Sequence, residues 1–220
     1  MNSAPTSTTV IDAGSFGTWL RQAREALRGN QGMEVPCGDC VGCCTSSYSI
    51  LLRPHDAALD AVPSSLLSGV SGLAYPHAKM NPLENGHCPM FKAGKCAIYS
   101  IRPQTCLDYD CRVYAAAGIE AGDNRPVINK RVREWQFTYA STADHVTHGA
   151  VKAAAQFISK HTKLFPAEFA ASSPSAIAVL AIKVYGLFIG ESLHSQNAME
   201  MVKKIIGTSR EFDATQIPTP

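Results

Sequence analysis

The sequence lacks cysteine over residues 1–36 and again over residues 112–220. It also lacks a charge excess: 20 Lys and Arg stand against 18 Asp and Glu, a net +2 over 220 residues. A balance this close to neutral argues against a chain held to nucleic acid by a dense basic face. A secretory leader requires a basic start followed by an apolar core, and Met1–Ala13 has neither, being Ser- and Thr-rich without Lys or Arg. The longest apolar run, Ala176–Gly190, is interrupted by Lys183 and falls short of the ~18 residues of a membrane span. No phosphate-cradling glycine loop, nucleophile elbow or paired zinc-protease histidines occurs. These absences predict a soluble, cytoplasmic protein with no membrane partner, nucleic acid disfavoured, and no evident catalytic acid, base or nucleophile.

What is present is concentrated. All eight cysteines lie between Cys37 and Cys111. In a reducing compartment, dense cysteines are metal ligands or redox groups more often than disulfides. The order is Cys37-x2-Cys40-x2-Cys43-Cys44, then Cys88, Cys96, Cys106 and Cys111. Thiolates three residues apart converge on one metal while backbone amides point at the sulfurs, and Gly38 and Gly42 permit the tight loop this needs. Adjacent side chains point apart, so Cys43 and Cys44 either serve different sites or one is not a ligand. Eight thiols at four per site give two sites. Bound as thiolates to two Zn²⁺, they would turn the net charge from +2 to −2.

Two occupants fit this grammar. One is zinc, twice, each ion held by four thiolates. The other is an iron–sulfur cluster of the 4Fe–4S type. There, Cys37, Cys40 and Cys43 form the ferredoxin-like run and Cys88, followed by Pro89, supplies the remote fourth ligand, leaving Cys44, Cys96, Cys106 and Cys111 for a second site. The immediate Cys43–Cys44 neighbour departs from the ferredoxin run. Five residues of regular helix turn through about 500°, so Cys106 and Cys111 belong to different sites unless the helix breaks between them.

The predicted fold is mainly α, with a small irregular, metal-stabilised cysteine-rich domain of short hairpin and short helices beside a C-terminal helical bundle. Residues 1–13 are expected to be a disordered N-terminus. Residues 14–34 carry an amphipathic helix over 14–29, with Phe16, Trp19, Leu20, Ala23 and Leu27 inward, Arg21, Arg24, Glu25 and Arg28 outward, and Gly29 as the stop. Residues 35–117 form the cysteine domain, with a short helix His55–Ala61 after Pro54. It also holds a hairpin turning at Gly94 and a helix from Pro103 through Ala117 stopped by Gly118. Residues 118–207 are helical. His145–His161 buries Val146, Ala150, Ala153, Ala154, Phe157 and Ile158. A helix opened by Ser173 and Pro174 is apolar around most of its axis and central. Ser195–Ile206 turns Met199, Val202, Ile205 and Ile206 inward and ends at Gly207. Residues 208–220 are expected to be a disordered tail.

Other candidates read more plainly. Arg102 is placed to neutralise thiolate charge or to serve as a surface arginine. Tyr99 and Tyr109 read as packing residues. His55, His77 and His87 lie in the cysteine window as spare ligands. His145 and His148 are spaced as a metal pair but read as a helix surface. The basic run Arg125, Lys130, Arg131 and Arg133, followed by Trp135, Phe137 and Tyr139, reads as a solvated face with core aromatics rather than a nucleic-acid surface.

The string Cys37-Gly-Asp-Cys-Val-Gly-Cys-Cys44 resembles the signature of the CxxCxxCC cysteine-cluster proteins, the YkgJ-type zinc- or iron-chelating family. The similarity continues through Gly86-His-Cys-Pro-Met-Phe, Cys96-Ala-Ile-Tyr-Ser-Ile-Arg-Pro-Gln-Thr-Cys106 and Leu-Asp-Tyr-Asp-Cys111 and covers about residues 35–112. The resemblance implies a metal-chelating domain, not a settled activity. Flagellin lysine methylases resemble this family in their cysteine domain and are associated with S-adenosylmethionine and iron–sulfur chemistry, but no residue here carries over a methyl-donor site. The expectation is a metal-binding module, with metal ions as ligands and a protein partner for its surface. The alternatives are an iron–sulfur redox or methylase-like group-transfer enzyme, and a metal carrier or buffer.

Overall fold

A computed structural model describes residues 9–29, 32–33, 35–70, 77–190 and 197–215. In chain order its elements are β1 (Ile11–Ser15), α1 (Phe16–Leu27), β2 (Ile50–Leu52), α2 (Ala58–Ala61), β3 (Leu67–Val70), β4 (His77–Met80), β5 (Phe91–Lys92) and β6 (Lys95–Cys96). They continue with α3 (Gln104–Asp108), α4 (Arg112–Ala117), α5 (Pro126–Glu134), β7 (Trp135–Thr138), α6 (Thr142–Lys160), α7 (Pro174–Val184) and α8 (Ala198–Ala214). The chain is mainly helical, as its periodicity predicts. Among the described residues no helix is long and apolar enough to cross a membrane.

The helical part is built on α7. Ser173 caps it by accepting from the Ala176 amide, Pro174 opens it, and Ala178, Ala181, Ile182 and Val184 are buried. It packs against α1, α4, α6 and α8, the central position expected of an all-round apolar helix. Helix α1 buries Phe16, Trp19, Leu20 and Ala23. Arg24 departs from its expected solvent face. Its guanidinium donates to the carbonyls of Ile182 and Lys183 at the end of α7, where unpaired carbonyls and the helix dipole favour a cation.

Several sequence boundaries are corrected. Residues 11–13 are not disordered: β1 pairs in parallel with β7, Ile11 opposite Trp135 and Ser15 opposite Thr138. A partner more than a hundred residues away leaves no local signal. Residues 1–8 and 216–220 of the expected disordered ends, and Ser195 at the expected start of the last helix, lie outside the described residues. Helix α8 runs past Gly207 to Ala214, because Phe212 is buried beneath Arg24 and Arg28 and Asp213 pairs with Lys183 at 2.6 Å. Met199 and Val146 are exposed rather than inward. Helix α2 is shorter than expected, since Asp56 first caps a turn by accepting from the Arg53 amide.

His148 is not a surface residue. It is buried, stacked on Phe16 at 4.3 Å between ring centroids, and its Nδ1 lies 2.7 Å from the Tyr139 hydroxyl. Its Nε2 faces the Ala115 and Ala116 carbonyls of α4 without completing a hydrogen bond. The exposed His145 stacks instead on Tyr139.

The cysteine region has its own smaller core of Leu52, Ala58, Val62, Met80, Met90 and Ile98. A three-stranded sheet in the order β2-β4-β3 and the β5–β6 hairpin frame it. The hairpin turns at Ala93 and Gly94, with φ of 48° and 77°, the left-handed pair that a two-residue turn requires. The two parts meet at Asp110–Arg112. The Asp110 carboxylate and Arg112 guanidinium pair at 2.9 Å, with side chains 1 % and 7 % exposed. Trp19 Nε1 donates to Asp110 at 2.8 Å and Arg112 donates to the Ala13 carbonyl at 3.1 Å.

Two predictions follow from this packing. Asp110→Asn leaves the Arg112 charge buried and uncompensated, which should cost about 3 kcal/mol in urea denaturation. Burial, with Lys152 next, lowers the His148 pKa to about 4, so the native state keeps it neutral while the unfolded chain protonates below about 6.5. That contribution is complete above about pH 6.5 and is lost as pH falls towards 4, up to about 3 kcal/mol. His148→Gln should flatten this part of the stability–pH curve.

Candidate metal centre

The first four cysteines are set by one compact loop. The Cys37 amide donates to the Val35 carbonyl, and the Cys40 amide donates to the Cys37 carbonyl. Gly38 occupies φ +57°. A 3-10 turn over Gly42–Thr45 follows, its Gly42 packed so closely that a Cβ would lie 3.2 Å from Ile128. Cys88 is tied to this loop by its amide, which donates to the Cys44 carbonyl at 2.7 Å. Cys96 ends β6, opposite Phe91. The expected single helix from Pro103 to Ala117 is two, α3 and α4, interrupted at Tyr109 and Cys111. Asp110 accepts from the Arg112 amide at this break, so Cys106 and Cys111 are freed from helical spacing.

The charges that act on the buried thiols show which sulfurs lie near one another. Burial raises the Cys43 thiol, and the next contributions come from Cys111, Cys37 and Cys40. Burial raises Cys111 to about 12 against the Trp135 hydrogen bond, with Asp110, Cys37 and Cys40 adding. Burial raises Cys44 to about 11, with Cys88 and Cys96 next. Burial raises Cys106 to about 12, with Cys88, Cys44 and Cys96 next. Cys37, Cys40 and Cys111 thus act most on Cys43, and Cys88 and Cys96 act on both Cys44 and Cys106, while Cys44 also acts on Cys43 and Cys40 on Cys44. Cys111 acts on Cys43, and the Cys88 amide is bonded to the Cys44 carbonyl.

Every cysteine but Cys111 lines one cavity of about 260 Å³, together with Tyr48, Met90, Ile98, Arg102 and Tyr109. Among the described residues no histidine lines it. His87 meets the Phe91 ring instead. Among the described residues no three His, Cys, Asp or Glu side chains converge tightly enough to hold a single ion as they stand. The sulfurs surround a space instead of closing on a point.

Cations attend the sulfurs. Arg102 stacks on Tyr99, 3.8 Å from its ring centroid, and its buried Nε has no hydrogen-bond partner. Its charge favours ionised Cys37, Cys44 and Cys106. Arg131 interacts with the Cys40 sulfur and pairs with Glu134 and Asp39 at 3.5 and 3.6 Å. Trp135 Nε1 donates to Cys111 Sγ at 3.2 Å.

The basic run is divided: Arg125 lies 3.7 Å from the Tyr48 ring centroid and Arg131 reaches towards the cysteines, while Lys130 and Arg133 are exposed, Arg133 pairing with Glu120 at the surface. Tyr109 shares a 3.0 Å hydroxyl contact with Tyr48 beside the cysteines. Sequence reasoning missed Trp135, Arg131 and Asp110 as neighbours of the cysteines. The only local hint was Asp110 preceding Cys111; the other two arrive from a separate helix and strand. No family model matches this chain, and no curated protein or solved structure matches it.

Proposed function

We propose that this protein is a metal-binding module whose eight cysteines hold two thiolate centres. Cys37, Cys40, Cys43 and Cys111 would form one, and Cys44, Cys88, Cys96 and Cys106 the other. The observation that carries the reading is the gathering of seven of the eight cysteines around one cavity of about 260 Å³, since four thiolates complete one tetrahedral ion or one cubane cluster. The donor set fits such an occupant. Arg102 keeps an orphaned buried N–H beside both groups, and Trp135 already donates to Cys111. The resemblance to the CxxCxxCC cysteine-cluster family agrees with it. Exposed Tyr99 and Ile101 offer apolar surface to a protein partner.

Between the two metals, the cavity favours an iron–sulfur cluster. A zinc–sulfur bond of about 2.3 Å in tetrahedral geometry closes the sulfurs to about 3.8 Å. A cluster places iron and sulfide between its thiolates and holds them around a volume. A bound cluster supplies one-electron chemistry; the residues of this chain hold it, neutralise it and keep it from water.

Protein purified without oxygen or competing chelators is expected to carry metal at both centres. A brown colour that bleaches on reduction supports the cluster, and colourless protein with two zinc atoms supports the ion. Less than one metal atom per chain overturns the reading. The division itself is checked by double substitution. Cys37→Ser with Cys111→Ser should lose no more metal than Cys37→Ser alone, whereas Cys37→Ser with Cys88→Ser should lose both centres.

The raised thiols also give a pH dependence. Cys44, at about 11, and Cys106 and Cys111, at about 12, are protonated at neutral pH in the metal-free chain. Loading therefore expels protons, and affinity rises with pH by up to about four log units per pH unit for a four-thiolate site. Chelator competition between pH 6 and 8 measures this slope.

A further inference from the structure

The tip of the β5–β6 hairpin sets two like charges against each other. Lys92 and Lys95 are direct partners in its antiparallel register, and both are exposed. Like charges facing across a strand pair destabilise it. The turn between them adds Ala93, a non-glycine residue at φ 48°, a backbone region that a side chain disfavours. Among the described residues no carboxylate pairs with Lys92, Lys95 or the nearby Arg102. Several exposed cations elsewhere are answered within the chain, Arg53 by Asp108, Arg133 by Glu120 and Lys204 by Glu200. A hairpin this short keeps the repulsion without any internal compensation.

The segment that follows adds an aromatic surface beside the lysines. Tyr99 is 58 % exposed, yet its ring is not left to rotate, because the Arg102 guanidinium lies 3.8 Å from its centroid. A tyrosine held this way offers apolar area and a hydroxyl with little ordering still to be done on binding. Lys95 and Tyr99 are both exposed and both line the cysteine cavity, so they stand at its rim. The one carboxylate among the described lining residues, Asp39, pairs with Arg131 at 3.6 Å. The rim at the hairpin is therefore cationic and aromatic, with no acid to answer it.

We propose that the hairpin tip and Tyr99 form a docking face for an acidic segment of a protein partner, a stretch of Asp and Glu around one apolar side chain. The partner's carboxylates pair with Lys92 and Lys95 and relieve the repulsion across the hairpin. Its apolar side chain packs on the face of the Tyr99 ring that Arg102 leaves open. The docked segment lies over the mouth of the cysteine cavity. A nucleic acid fits less well, since two lysines make no track for a phosphate backbone and the whole chain carries only +2. The proposal rests on the reading of this protein as a metal-binding module that meets a protein partner, and it holds for either metal.

The test is selection of short random peptides displayed on phage against the full chain, purified without oxygen, followed by fluorescence anisotropy of the enriched peptides. These are expected to combine several Asp or Glu residues with an aliphatic or aromatic one. Lys92→Glu with Lys95→Glu, and separately Tyr99→Ala, should each weaken their binding about tenfold, and added NaCl should weaken it further in the wild type. A peptide with Lys in place of its acids should bind the doubly reversed variant and not the wild type, a gain that misfolding cannot produce. Enriched peptides without acidic excess, no enrichment over an uncoated surface, or binding that survives charge reversal overturns the proposal. Tighter binding of a single-stranded DNA oligonucleotide to the same two lysines overturns it in favour of nucleic acid. Metal analysis of the same preparations separates it from the reading beneath. Less than one metal atom per chain with charge-dependent peptide binding intact overturns the metal centres alone, and full metal without such binding overturns the docking face alone.

Discussion

The buried ion pair of Asp110 and Arg112 holds the cysteine region to the helical part, and most of the site depends on it. Two buried charges are tolerated only when their remaining hydrogen-bonding capacity is filled. Here Asp110 accepts from Trp19 and from the Arg112 backbone and side chain, while Arg112 also donates to Ala13. Those partners belong to α1 and β1, and β1 is in turn registered on β7. Cys111 lies between the paired residues, with Trp135 of β7 on its sulfur. Its position is therefore set by three elements outside the cysteine loops, and any occupant it binds is referred to that frame.

The arginines near the sulfurs are held in different ways. A divalent ion held by four thiolates would carry a net charge of −2, and two proposed centres joined through the Cys43–Cys44 peptide would repel each other in a medium of low dielectric. Arg102 favours ionised Cys37, Cys44 and Cys106, a position from which one cation would offset that repulsion. Its stacking on Tyr99 fixes the guanidinium plane without consuming its N–H donors. Arg131 is held differently, by Glu134 and Asp39, so its charge at Cys40 is partly balanced before metal binds. A tempered cation thus stands beside Cys40, and Arg102 stands beside Cys37, Cys44 and Cys106.

Much of the helical part was legible in the sequence, because its signals are local. Phe16, Trp19, Leu20 and Ala23 repeat at helical spacing and are all buried; Ser173 and Pro174 open α7 as their chemistry predicts; Gly118 stops α4 in the left-handed conformation. The eight cysteines were legible as one constellation, and seven of them line one cavity. Which loop folds back on which was not legible, because spacing along the chain cannot report it: the bond from the Cys88 amide to the Cys44 carbonyl joins residues 44 positions apart. His148 and Arg24 were misjudged for a related reason. Each looks polar on its own helix, and only the packing of Phe16 against α6, or of α1 against the end of α7, supplies the partner that takes it inward.

The small core of the cysteine region limits what can stabilise it. Six buried side chains, none larger than methionine, underlie strands of two to four residues. Short strands and single-turn helices return few hydrogen bonds for each residue ordered, and a core of this size rarely supports a loop-rich fold without a further tie. Eight free thiols, most of them half-buried, are an expensive way to fill such a core, since sulfur packs no better than a methyl group and remains open to oxidation. They become economical when ligand binding contributes directly to folding, because a metal bound only by the folded form shifts the equilibrium by its whole binding free energy. The helical part, with its continuous apolar core around α7, needs no such contribution and contains no cysteine beyond Cys111 at its boundary. Along the chain, cysteine coincides with the smaller apolar core, except for Cys111, which is buried in the larger one.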